Sequence, residues 1–170
     1  MKLTKIERLI LHNQFDILSK IGTDGEYYES MMEILSSGYE YEYQRLFGAI
    51  HDDGVPAEVC IKTIHILNMF RRFGNALAKL SENQISELGD GLKKLEFQGF
   101  DENNDKHYYY TKFMIDKQNK WAEQKNKYLN SHDSYTIEIY RKMLQEYNSS
   151  ELKPNDEITF DDLKSFLSKI

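Results

Sequence analysis

The sequence predicts an all-α fold of six to seven helices in a bundle-like arrangement. Apolar side chains recur with the 3.6-residue helical period from one end of the chain to the other. Only two prolines occur in 170 residues, so long helices are permitted. We expect residues 1–170 to form a single helical domain around two long helices. If that domain has two lobes, their boundary should lie within residues 81–100.

Three helices are predicted in the first 50 residues. Thr4 and Glu7 form a capping-box pattern that opens the first helix, which runs to about Lys20. The second covers about 25–37 and the third about 39–50. The first helix is expected to bury a broad apolar stripe, made of Ile6, Ile10, Leu11, Phe15, Ile17, Leu18 and Ile21.

The two long helices are predicted over about 56–80 and about 101–129, the second of them opened by an Asp101 cap. Gly74 lies in the apolar arc of the first long helix. Because a glycine inside a helix costs about 1 kcal/mol relative to alanine, we expect a close helix crossing at that point. The remaining helices are predicted over about 134–147 and, behind a Thr159–Asp162 cap, at the end of the chain.

Charge is distributed unevenly along the chain. The formal net charge is −6, and residues 1–60 account for all of it with 5 basic and 11 acidic side chains. An acidic balance disfavours non-specific binding to nucleic acid or anionic lipid. The sequence has no apolar run of about 18 residues, no signal-peptide pattern and a single cysteine. We therefore expect a cytoplasmic protein without membrane association.

Gln14 is the most unusual position, because it falls in the middle of the apolar arc of the first helix. A buried amide without hydrogen-bond partners costs a few kcal/mol. Two interpretations stay open. Gln14 makes a structural hydrogen bond between helices, or Asn13 and Gln14 form a small polar site with Asp101 at the 97–101 turn.

A basic and aromatic segment occupies the second half. Lysines alternate there with aromatic side chains, namely Lys112, Lys117, Lys120, Lys125 and Lys127 with Phe113, Trp121 and Tyr128. Such a segment can bind single-stranded nucleic acid, but most of its lysines need only form a solvated face or a contact for the acidic first third. Three adjacent tyrosines at 108–110 cannot share one helix face, so at least one should be exposed or lie at an interface. The candidate interaction surface is Tyr108, Tyr109, Lys112, Lys120, Trp121 and Lys127.

Candidate catalytic and metal-binding motifs are weak. His51-Asp52-Asp53 has no second ligand cluster and is interpreted as a helix-ending turn. Residues 151–162 lack an oxygen ligand and the glycine that a calcium loop requires. Cys60 is interpreted as a small core residue, and Arg8 with His12 as two solvated side chains. The sequence thus predicts no catalytic residue, no metal site and no cofactor.

Several short motifs occur in an order that resembles one protein family. They are Arg8-Leu9-Ile10-Leu11 with Asn13-Gln14, Gly38-Tyr39, the stretch from Cys60 to Met69, Phe97-Gln98-Gly99-Phe100-Asp101, Tyr109, Phe113-Met114 and Tyr140-Arg141-Lys142-Met143-Leu144. In this order the chain resembles the YfbU-like bacterial proteins. The resemblance implies an all-helical fold with two helical subdomains. It implies no established activity, so it transfers no catalytic residue.

Three functional hypotheses follow. The leading one is a non-enzymatic cytosolic regulatory or protein-interaction module, a homo-oligomer that meets an unknown protein partner through tyrosine-rich helix faces. The alternative is nucleic-acid binding through the basic and aromatic helix 112–128. An unrecognised hydrolase is the third.

Overall fold

The computed structural model describes residues 2–48, 50, 54–103, 105–127, 136–150 and 156–170. These residues confirm the all-α prediction, since they contain nine α-helices and no β-strand. The helices are α1 (Lys5–Ile21), α2 (Gly25–Ser37), α3 (Tyr43–Leu46), α4 (Ala57–Leu77), α5 (Glu82–Leu88), α6 (Gly91–Leu95), α7 (Lys106–Lys112), α8 (Thr136–Ser149) and α9 (Phe160–Leu167). The chain divides into two compact units, Met1–Gly54 and Val55–Ile170, and residues 81–100 lie within the second.

The helices outnumber the predicted six to seven because some predicted helices are interrupted. In place of one helix over 39–50, the chain forms a 3-10 turn, Glu40–Glu42, followed by the short α3. Residues 81–99 contain two short helices, α5 and α6, in the range where the sequence predicts no helix. Beyond α7, a π-helical turn covers Phe113–Lys117.

The long helix predicted over 101–129 is wrong in its described part. The helix that forms in this range is α7, and its N-terminus is capped by the carboxylate of Asp105 and not by Asp101. It ends early because Asn119 and Trp121 have left-handed backbone angles, with φ of 55° and 51°. Asparagine adopts this conformation readily, whereas a bulky side chain is strained there by about 1–2 kcal/mol. Contacts made by Trp121 elsewhere must therefore hold the chain in this reversal.

The first unit is built on α1 and α2, which pack against each other. The capping box predicted at Thr4 and Glu7 is present, and α1 ends at Ile21 immediately before Gly22. The core of the first unit consists of Met31, Ile34 and Tyr43, with Leu3, Phe15, Leu46 and Phe47 packed against them. Local signals therefore set the ends of α1, while the buried residues of this core come from α2 and α3.

No residue of α1 is buried, so the expected burial of its whole apolar stripe is wrong. Phe15 packs against Tyr27 and Tyr28 of α2, with ring centroids 6.5 and 6.3 Å apart. The opposite edge of the stripe is exposed. We call this edge the isoleucine face, and it consists of Ile6, Ile10, Ile17 and Ile21. The stripe is wider than the surface that the neighbouring helix covers.

Arg8 fixes the orientation of α1 on α2. Its Nη1 donates a hydrogen bond to the carbonyl of Leu35 at 3.1 Å, and the last carbonyls of a helix have no partner within that helix. Gly38 follows α2 with a φ of 73°, and a Cβ at this position would lie 2.6 Å from Arg8 Nη1. Arg8 is therefore not the solvated side chain that the sequence predicts, because it is half-buried and caps α2.

The second unit is organised around α4, which α6, α7 and α8 contact. Tyr140 of α8 lies at the centre of an aromatic cluster. Its ring centroid is 4.9 Å from that of Phe70, 5.8 Å from Phe97 and 5.6 Å from Phe100. The tyrosine hydroxyl also accepts a hydrogen bond from the Gln98 N–H at 2.8 Å. These contacts fix the 97–100 bend onto α4 and α8.

Gly74 is exposed on α4, and no atom lies within 4 Å of the position that its Cβ would take. The expected close helix crossing is therefore wrong.

We predict that Gly74→Ala raises the free energy of unfolding by about 1 kcal/mol, because alanine has the higher helix propensity and meets open space. Urea unfolding followed by circular dichroism measures the change.

Gly38→Ala is the contrasting variant. Alanine is disfavoured by about 1–2 kcal/mol in the left-handed conformation of Gly38, and its methyl group would displace the Arg8 guanidinium. The same unfolding experiment should therefore show a loss of stability for Gly38→Ala. A loss of stability for Gly74→Ala as well would contradict the open surroundings of that glycine.

Candidate interaction surface

The isoleucine face is the largest apolar feature that α1 presents to solvent. Ile6, Ile10, Ile17 and Ile21 are 71%, 52%, 58% and 75% exposed. At 100° per residue, their directions lie within about 60° of one another around the helix axis. Four branched side chains therefore lie along one strip of a helix that is 17 residues long. Exposed apolar surface on one face of this kind is typical of interaction sites.

Asn13 and Gln14 lie at the middle of this strip, one on each side of its centre line. Both side chains are exposed, so the expectation that Gln14 is buried is wrong. The physical reason is that α2 covers the other side of α1. Asp101 belongs to the second unit and is buried, and its carboxylate accepts a hydrogen bond from the Asn103 N–H at 2.8 Å. The predicted polar site of these three residues stays a prediction, but its premise of a buried amide is gone.

The residues predicted to form an interaction surface around α7 divide into two groups. Tyr108 and Trp121 are buried and belong to the core of the second unit. Tyr109 is exposed, as expected for at least one of the three adjacent tyrosines. Exposed lysines accompany it, namely Lys112, Lys120 and Lys127. Phe113, four residues after Tyr109, is a second exposed aromatic side chain of this region.

Trp121 is held from two sides. Its Nε1–H donates a hydrogen bond to the Asn68 side-chain oxygen at 3.1 Å, and the Arg71 guanidinium lies 5.3 Å from the ring centroid. Arg71 in turn makes two hydrogen bonds to the Glu123 carboxylate, at 2.5 and 3.0 Å. These bonds hold the pKa of Glu123 below its ordinary value. Because the indole is buried and held in place in this way, it is not available to stack on a nucleic-acid base.

His107 is the histidine of the described chain that contacts a carboxylate. Its Nδ1 contacts Asp105, and its ring stacks on Phe100 with centroids 5.5 Å apart. The imidazole is buried, and its Nε2 has no hydrogen-bond partner among the described residues. A buried pair of this kind is typical of structural histidines, and it lines neither of the grooves described next.

Two grooves open on α8. One, of about 800 Å³, runs between α6, α8 and the last residues, and its lining includes Ile139, Met143 and several lysines. The other, of about 580 Å³, lies between α4 and α8 beside Arg71. Glu146 in the first groove pairs with Lys169 at 3.1 Å. The described lining of these grooves gives no specific support to the hydrolase hypothesis.

The remaining candidates carry little chemistry. Cys60 is only half-buried and unpaired, whereas the sequence predicts a core position. Asp162 completes the predicted cap with Thr159, whose hydrogen bonds lower the pKa of that carboxyl. His51-Asp52-Asp53 and residues 151–155 lie outside the described residues.

Within the described ranges, no group of three His, Cys, Asp or Glu side chains is placed to hold a metal ion. None of the described helices has the length and apolarity that a membrane span requires.

Comparison with known proteins places the chain in a family. The YfbU domain matches residues 1–168. The UPF0304 protein MJECS11 of Methanocaldococcus jannaschii is 31% identical over 160 residues, which cover 91% of this chain and 92% of that protein. Neither name states a substrate or a partner. The chain belongs to the YfbU family.

Proposed function

We propose that this protein is a non-enzymatic interaction module of the cytoplasm that self-associates through the isoleucine face of α1. The exposure of four isoleucines on one strip carries the proposal. The tyrosine-rich surface predicted for this role receives less support, because Tyr108 lies in the core. Exposed branched side chains that share one helix face stabilise a helix pair once water is excluded from between them.

The charge of α1 favours a second copy as the occupant of this face. Residues 1–60 are strongly acidic, but the 17 residues of α1 hold 3 basic and 2 acidic side chains. Much of the acidic excess lies on α2, at Glu26, Glu29 and Glu33. Two copies that meet through α1 therefore bring nearly neutral helices together and keep the repelling carboxylates of α2 apart.

The contact area predicts a weak dimer. A helix of this length presents a strip about 25 Å long and about 10 Å wide, so two copies hide on the order of 500 Å². A standard protein interface hides roughly 1,200–2,000 Å². Burial of the strip contributes about 12 kcal/mol, and association costs about 4–15 kcal/mol. We therefore expect a dissociation constant on the order of micromolar to millimolar.

Sedimentation velocity over a range of concentrations tests the proposal. The wild-type protein should show a reversible monomer–dimer equilibrium, and Ile10→Asp with Ile17→Asp should weaken it tenfold or more, because four charges would then enter the contact. Ile61→Asp is the matched control, since Ile61 is 54% exposed on α4, outside the isoleucine face. A folded wild type that stays monomeric at millimolar concentration would contradict the proposal, as would an equal effect of Ile61→Asp.

Nucleic-acid binding is a second candidate, and the exposure of Tyr109 and Phe113 beside Lys112 and Lys117 favours it. Exposed rings can stack bases while lysines neutralise phosphates. This version differs from the hypothesis based on sequence because Trp121 takes no part. Titration of labelled single-stranded RNA at about 50 and about 200 mM salt separates the candidates. Salt-sensitive binding that Tyr109→Ala abolishes would favour it, and no binding at low salt would remove it.

A further inference from the structure

The polar and apolar residues along the exposed side of α1 follow a symmetric pattern. In chain order they are Ile6, Ile10, Asn13, Gln14, Ile17 and Ile21, and the intervals between them are 4, 3, 1, 3 and 4 residues. Reading the helix in reverse gives the same order of isoleucine pair, amide pair and isoleucine pair. If two copies of α1 are related by a two-fold axis that is perpendicular to α1 and passes between Asn13 and Gln14, isoleucines therefore lie at the level of isoleucines and amides at the level of amides.

From this pattern we propose that two copies pair through α1 in antiparallel orientation, about a two-fold axis that passes between Asn13 and Gln14. The inference rests on the self-association proposed above and adds its geometry. A two-fold interface must be complementary to itself, because the same patch serves on both copies. Antiparallel pairing of α1 meets this requirement, because each isoleucine then lies at the same level as an isoleucine of the second copy. Ile6 lies beside Ile21 of the second copy, and Ile10 lies beside Ile17 of the second copy.

The amide pair gives this arrangement a defined register. At the axis, the two Asn13 side chains lie beside each other on one flank of the contact and the two Gln14 side chains on the other flank, and amide side chains can both donate and accept hydrogen bonds. A shift by one helical turn would place amides against isoleucines and leave polar groups buried without partners. A single polar layer in an apolar helix contact is an established means of fixing register. The oddly placed Gln14 thereby acquires a physical role without being buried in the monomer.

Charge at the two ends of α1 favours antiparallel over parallel pairing. The beginning is basic and the end is acidic, with Lys2, Lys5, Glu7 and Arg8 at the start and Asp16, Lys20 and Asp24 at the finish. Antiparallel pairing places the basic end beside the acidic end of the second copy, whereas parallel pairing places the two basic ends together. The helix dipoles are also opposed when the helices run antiparallel.

Cysteine cross-linking in a Cys60→Ser background tests the orientation. In the antiparallel pair, Ile10→Cys of one copy faces Ile17→Cys of the other, within reach of a disulfide. Two copies of Ile10→Cys are separated by about 10 Å along the axis. A mixture of the two variants under mild oxidation should therefore give mainly the mixed disulfide, and each variant alone should cross-link poorly. Ile61→Cys, exposed outside the isoleucine face, reports collisional cross-linking.

Different results reject different parts of the proposal. Efficient Ile10→Cys homodimers would establish parallel pairing and overturn the antiparallel geometry, while self-association stands. If no combination exceeds the Ile61→Cys background and sedimentation shows monomer for the wild type, both proposals fail. Spin labels at Lys5→Cys, an exposed site off the isoleucine face, decide the orientation without altering the contact. Antiparallel pairing separates the two labels by about 25 Å along the axis, whereas parallel pairing places them at the same level.

Discussion

The hydrogen bond from Arg8 to the Leu35 carbonyl determines which side of α1 meets α2 and which side is left exposed. With Arg8 and Phe15 directed at α2, the 100° step between residues turns the isoleucine face to the opposite side. Rotating α1 to cover the isoleucines would break the cap on α2 and expose Phe15. The exposed face is therefore a consequence of how the first unit packs, and α1 keeps it because the remaining contacts of that unit require its orientation.

The residues behind the family resemblance meet one another in the folded chain. Arg8 and Gly38 come from separate motifs, and the space left by the missing Cβ of the glycine admits the guanidinium. Gln98 and Tyr140 come from two other motifs and share a backbone-to-hydroxyl hydrogen bond. These contacts stabilise each unit from within, and they involve no acid–base pair or metal ligand set. The motifs therefore account for a shared fold.

Features decided by neighbouring residues were predictable from the sequence, whereas features decided by distant partners were not. The caps at Thr4 and Thr159 depend on side chains three residues away, and both are present. Helical periodicity identified the apolar stripe of α1, but periodicity does not specify which neighbour covers it. The reversal at Trp121 depends on Asn68, 53 positions earlier, a partner that the local sequence does not identify. The symmetric spacing of isoleucines around Asn13 and Gln14 is present in the sequence itself, and it is the local pattern that indicates a surface role for the isoleucine face.

A direct measurement of what covers the isoleucine face is an isotope-filtered NMR experiment on an equal mixture of uniformly ¹³C-labelled chains and unlabelled chains. Only contacts between different copies give signals in such a spectrum. Self-association through α1 predicts intermolecular contacts from the methyl groups of Ile6, Ile10, Ile17 and Ile21 to α1 of the unlabelled copy. Isoleucine methyl groups of α1 that show no intermolecular contact at high concentration would contradict it.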